Sequence, residues 1–207
     1  RVQDNPSITV AEMNAKLRRL DNLGLVIIDY LQLMNGSGYG KSSGENRVQE
    51  LVQKAEMFQK YNVPCHIIGN LQTNKVKDII DKVEMIHSVH SIKLAKEISK
   101  QAQRYGKTMD ILLEINIGNE ESKWGFSPDD VIENAKEIAS LPNIRLRGIM
   151  AIPPICQNST DNHKFFQEMY NLSVDITAKK YDNVRVDILS MGMSDDYTDA
   201  IACGSTM

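Results

Sequence analysis

The stretch LSMGMSDD at 189–196 gathers Ser190, Gly192 and Ser194 directly behind an apolar run, an order suited to holding an anion. A serine ending a strand, a glycine that lets backbone approach a ligand and a serine that can cap the next helix would turn N–H groups toward a phosphate. The same residues have a plainer use, with Ser194 as an N-cap and Asp195 and Asp196 complementing the helix dipole. Lys123 in EESKWG could also meet an anion, although a loop lysine is ordinarily a solvated charge. Asn46 closely follows Gly44, where asparagine commonly serves a turn or a cap. His87 and His90 are three apart, but no Cys or carboxylate joins them at zinc-like spacing. His66 precedes an apolar strand, as a core histidine would, and Met191 and Met193 suit packing.

A second phosphate-like text is GSGYGKSS at 36–43. A nucleotide-binding loop requires G-x-x-x-x-G-K-[ST], and counting back from Gly40-Lys41-Ser42 puts Asn35 where the first glycine belongs. A solvated Gly/Ser loop accounts for it better.

The elements that must carry these residues alternate. Thr9 to Glu12 has capping-box spacing, with Met13, Leu17 and Leu20 on one helical face. The run at 25–33 is β-branched and apolar, as a buried strand is. Val48, Leu51, Val52, Ala55 and Phe58 have helical spacing, followed by a short strand at 65–68. Helices near 74–81, 95–105, 128–139, 165–176 and 194–203 then interleave with strands at 84–87, 110–117, 144–152 and 187–190. Phe165, Met169, Leu172 and Ile176 mark the inner face of the fourth of these helices. Strands separated by helices predict parallel βαβ units. Six strands are two short of a closed (β/α)8 barrel, and an open doubly wound sheet fits the count equally.

The strand ends read GENRVQE (44–50), HIIGNLQTNK (66–75), MIHSVHS (85–91), INIGNEESKWG (115–125), IRLRGIMAI (144–152) and LSMGMSDDYTDAIACGSTM (189–207). In this order they resemble the pyridoxal-phosphate homeostasis family, which shares the alanine-racemase N-terminal barrel. The resemblance covers 44–207. It implies an α/β TIM-type barrel that binds pyridoxal 5′-phosphate and buffers or delivers it, without established turnover. It also implies that Ser190, Gly192 and Ser194 meet the phosphate, that Asn46 lies beside the cofactor ring, and that Lys123 lies near the cofactor. The family holds its aldehyde as a Schiff base on a lysine at the end of the first strand, and continues past GSTM into an eighth strand.

Residues 3–43, with DNPSITVAEMNAKLRRL and LGLVIIDYLQLM, instead resemble the C-terminal ATPase domain of replicative DNA helicases. There the strand ending in Asp29 would be the Walker B element; without a phosphate loop, ATP hydrolysis is not expected. The run ENRxQE is common to both resemblances, and because Gly44 and Val48 fit the cofactor family the changeover is placed at about 40–44. The chain is therefore expected to hold a helicase-like segment at 1–43 and a cofactor-binding barrel at 44–207. The barrel is expected to be incomplete, its first strand replaced by one without lysine and its eighth strand missing. Cofactor capacity would then be weakened. Three rivals remain: a non-functional chimeric fragment, a helicase remnant, and a racemase-like enzyme, for which no lysine paired with an opposing acid or base is recognisable.

Composition sets the outer bounds. The 207 residues are 42% hydrophobic and 25% charged with a formal net charge of −3, which suits a globular domain and offers no basic face to nucleic acid. No apolar run is long enough to span a bilayer, no basic-then-apolar leader follows Arg1, and the missing initiator Met suggests a start in mid-gene. Cys65, Cys156 and Cys203 are unpatterned, as reduced thiols of a cytoplasmic protein are. A monomer is expected.

Overall fold

The computed structural model describes residues 51–207, apart from Gln53, Lys54, Glu56, Met57, Gln59, Ile155, Gln157 and Asn158. The helicase-like segment, Lys41 and Asn46 lie outside the described residues. So does the strand expected at 25–33.

Leu51, Val52, Ala55, Phe58 and Lys60 are helical, and Leu51, Ala55 and Phe58 are buried at the expected spacing. Five strands follow: β1 (His66–Ile67), β2 (Met85–Val89), β3 (Met109–Glu114), β4 (Ile144–Ala151) and β5 (Val184–Met191). Between and after them come α1 (Val76–Ile79), α2 (Ile92–Arg104), α3 (Val131–Ala139), α4 (Ser159–Ala178) and α5 (Tyr197–Ala202). The five expected strands that fall on described residues are all present. The boundaries of each helix follow local chemistry. Ser91 accepts a hydrogen bond from the Leu94 N–H at 3.3 Å and so caps α2. Ser127 caps the short 3-10 turn Pro128–Asp130, with proline in its first turn, and this turn leads into α3.

All strand pairs are parallel and the order is sequential, β1-β2-β3-β4-β5. A doubly wound sheet reverses its strand order at a switch point; none occurs among these strands, so the architecture is that of a barrel wall. Between sheet and helices lies the main core, where Ile86, Ile111, Leu113, Ile149 and Leu189 meet Leu94, Ile98, Val131, Ile138 and Phe166. Each such buried aliphatic or aromatic side chain contributes roughly 1.5–3 kcal/mol. On α4 the inner face differs from expectation. Phe166 and Met169 are fully buried, whereas Phe165 and Leu172 only flank the core. Phe165 and Phe166 are adjacent, so spacing alone could not choose between them.

The opposite face of the sheet is layered by register. Asp110 pairs with Arg145 near the strand starts, Leu112 with Gly148 and Gly148 with Ile188 in the middle, and Glu114 with Met150 and Met150 with Ser190 at the strand ends. Met85, Leu112, Met150 and Ile188 form a small apolar cluster separate from the main core. At the strand starts Asp110 accepts from Arg145 Nε at 2.6 Å and Arg147 Nη1 at 2.7 Å. Arg147 also grips Asp187 through Nε (2.8 Å) and Nη2 (2.7 Å), and Arg185 joins at 3.1 Å. Such a bidentate network holds three strands in register.

Gly148 is required where it stands: a Cβ there would overlap the carbonyl oxygen of Ile188 on the neighbouring strand. Gly148→Ala must push β4 from β5. Its unfolding free energy, measured by urea titration, is expected to fall by about 2–4 kcal/mol.

Candidate functional site

The strand ends bring several of the sequence-predicted residues to one edge of the sheet. Ser190 is the penultimate residue of β5 and is buried, its Oγ 3.1 Å from His87 Nδ1. His87 Nε2 lies 3.0 Å from His66 Nδ1, one ring donating to the other's lone pair. The three side chains form a hydrogen-bonded line from β1 through β2 to β5. Burial, followed by the neighbouring His66, lowers the His87 pKa to about 3, and burial also lowers that of His66. Both rings are therefore neutral at physiological pH. Sequence reading took His66 as a core histidine but could not name its partner or see this line, because its members are far apart in the chain.

Beyond β5 the backbone turns sharply. Gly192 has φ +99°, and a Cβ there would come 2.7 Å from the Ala200 Cβ, so close packing against α5 demands glycine as much as any ligand would. Ser194 does not cap α5, contrary to one expectation. The N-cap is Asp196, whose Oδ1 instead accepts from the Met193 N–H. Among the described residues nothing accepts from the N–H groups of Gly192, Ser194 or Asp195. Ser205 Oγ donates to the Met191 carbonyl at 2.8 Å, and Met191 N–H donates to the Met207 carbonyl at 3.2 Å. The Met207 N–H is also aimed at Leu189 O (3.4 Å), so the 205–207 backbone lies against the end of β5.

Lys123 lies on the loop after β3, and its ammonium reaches across to the end of β4. It pairs with Glu120 at 2.9 Å and donates to the carbonyls of Ile152 (3.3 Å) and Pro153 (3.4 Å). It therefore stands at the strand-end edge, already engaged by protein groups. Next to it Trp124 is 60% exposed and tilts against the His90 ring, centroids 5.0 Å apart.

Glu114, which sequence reading did not single out, ends β3 in the same register layer as Ser190. Its Oε2 is buried without a hydrogen-bond partner. His90 Nδ1 is 4.0 Å away, but lies 3.2 Å from the Ser88 carbonyl, its hydrogen-bond acceptor. Burial raises the Glu114 pKa from 4.5 to about 7. Only the fold shows that, among the described residues, no hydrogen-bond donor meets it.

The match to the alanine racemase N-terminal domain model spans residues 35–207 and defines the class of barrel. The pyridoxal phosphate homeostasis protein of Aquifex aeolicus is 41% identical over 167 residues, covering 81% of this chain and 72% of that protein. That of Pasteurella multocida is 39% identical over 166 residues, covering 79% and 71%. Among solved structures, PipY of Synechococcus elongatus without pyridoxal phosphate superposes with a TM-score of 0.71 at 28% identity, covering 78% of this chain and 75% of PipY. PipY with pyridoxal phosphate bound shares the fold, with a TM-score of 0.70 at 23% identity, over 95% of this chain and 94% of that one. The chain belongs to the pyridoxal phosphate homeostasis protein family.

The Glu114 carboxyl has a defined effect on stability. Its folded pKa of about 7 exceeds the ordinary 4.5, so between these values the folded chain holds a proton that the unfolded chain has lost. Stability therefore declines as pH rises through that window, and the cost is complete above it. Glu114→Gln is expected to add about 1–3 kcal/mol at pH 8 and little at pH 4, read from urea melts at the two pH values.

Proposed function

We propose that the chain binds pyridoxal 5′-phosphate at the strand-end edge and carries or buffers it. The observation that carries this reading is 35–41% identity, over about four-fifths of the chain, to proteins named for pyridoxal phosphate homeostasis. The residues present suit the group. The free N–H groups of Gly192, Ser194 and Asp195 and the Ser194 hydroxyl would hold its phosphate, with Ser190 as the polar floor beneath. Three such amides with a hydroxyl beside them around a dianion form a nest that needs no cationic side chain. Lys123 and Asn46 would stand at the rim.

When bound, the group supplies an electron-withdrawing ring and an aldehyde; a carrier need only shelter them. The protein's own work is to desolvate the phosphate, orient the ring and keep bulk amines from the aldehyde. The segment at 23–34, in the place of the family's first strand, contains Asp29 and no lysine. Lys41 sits in a Gly/Ser run, where a hydrated ammonium reacts slowly and without fixed geometry. We therefore take 1–43 as a helicase-like segment joined to the cofactor barrel of 44–207, and binding as weak and largely non-covalent. The same reading makes the protein a cytoplasmic monomer without a nucleic-acid partner. No helix of the described residues is long and apolar enough to cross a membrane.

Two measurements test this. Pyridoxal phosphate, and inorganic phosphate more weakly, should slow amide hydrogen exchange across 190–195, and Ser194→Ala should lower phosphate affinity about threefold to tenfold. Protection confined to other segments defeats the assignment. Borohydride reduction followed by peptide mapping should give scattered, substoichiometric pyridoxyl-lysine; stoichiometric label on one lysine would refute non-covalent binding.

A further inference from the structure

The carboxyl of Glu114 has no use in the binding scheme above, and its surroundings do not explain its presence. It ends β3 in the layer that also contains Met150 and Ser190, so it borders the same edge as the 192–195 turn. One of its oxygens is buried without a hydrogen bond. The nearby donors are committed elsewhere: the Lys123 ammonium on the following loop to Glu120, Ile152 and Pro153, and the His90 Nδ1, on a ring whose pKa burial lowers, to the Ser88 carbonyl. A buried acceptor left in this state costs stability, and a glutamine or leucine of similar size would relieve the cost. The side chain is thus matched to a donor that the described residues do not provide.

The missing donor can be described chemically. A divalent metal would need further ligands, and no group of three metal-binding side chains occurs among the described residues. A protonated primary amine needs only one carboxylate and a few acceptors. β3 and β5 are two strand spacings apart, about 10 Å in a flat sheet and less in a curved one. One small molecule can therefore reach both Glu114 and the 192–195 amides. Trp124 and His90 supply a ring surface beside the carboxyl.

We propose that Glu114 is the amine subsite of the strand-end edge, and that the ligand it selects is a phosphorylated primary amine, the aminated counterpart of pyridoxal phosphate. This rests on the cofactor reading above and adds to it a choice of ligand form. The selection needs no lysine, in keeping with a 23–34 stretch that has none. The amine stays free and charged, and Glu114 ionises to meet it. A charge-assisted hydrogen bond in a partly desolvated site is worth about tenfold in affinity.

The test compares pyridoxamine 5′-phosphate with pyridoxal 5′-phosphate by calorimetry on the full chain. The native chain should prefer the amine about tenfold. Glu114→Gln, which keeps size and folding, should bring the ratio near one, and Glu114→Asp, which keeps the charge but withdraws it, should leave an intermediate ratio. Equal affinities in the native chain, or a preference that survives Glu114→Gln, would overturn the amine subsite while leaving aldehyde binding intact. Failure of both ligands to bind would overturn the cofactor reading and this inference together.

Discussion

The line from His66 through His87 to Ser190 is the constraint on which the shape of the molecule depends. β2 and β5 are separated by β3 and β4, which in a flat sheet puts them about 14 Å apart. A hydroxyl and an imidazole can meet at 3.1 Å only if the wall curls until the two strands face one another. His87 is wholly buried at that contact and neutral, so the line adds no charge to the barrel interior. Its register is informative too. His66 pairs with Met85, and Met85 with Asp110 near the strand starts, while Ser190 lies in the layer of Glu114 at the strand ends. The line therefore ties the two ends of the barrel interior together, as well as its two sides.

Around this tie, the strand starts and strand ends have different work. The starts hold Asp110 and Asp187 in a satisfied cluster with Arg145, Arg147 and Arg185. The Arg147 guanidinium, through its paired hydrogen bonds, holds the Asp187 carboxyl below the usual range. Breaking such a network exposes charge without gain, so it acts as a clamp on register. The strand ends do the reverse. There, among the described residues, a buried carboxyl oxygen and three amides have no hydrogen-bond partner, and a tryptophan is exposed. Barrels of this kind commonly keep stability at one face and binding at the other, and the polar groups here are divided in that way.

Much of the wall was legible in sequence. The helices announced themselves through apolar spacing, as at Ala95, Ile98 and Ala102 on α2, because a helix must bury a stripe repeating every 3.6 residues. The strands were visible as β-branched runs flanked by polar ends, and the polar ends were where the site groups gathered. Less legible were places where two neighbours compete for one position, such as Phe165 and Phe166, and where a plausible cap is outcompeted. Ser194 has the chemistry of an N-cap, but the tight turn at Gly192 brings Asp196 to that place.

By itself the sequence determined which segments bury an apolar face, that strands and helices alternate, and that Ser190, Gly192, Ser194 and Lys123 fall at strand ends. These are local properties, set by side-chain period and by turn chemistry. Only the tertiary structure decided that the strands follow one another without reversal, and that the wall curls until β2 meets β5. It alone left one Glu114 oxygen without a partner among the described residues while engaging Lys123. Pairing and burial depend on residues distant in the chain, such as His87 and Ser190, and no local pattern records which distant group will be near enough to satisfy a donor or leave an acceptor bare.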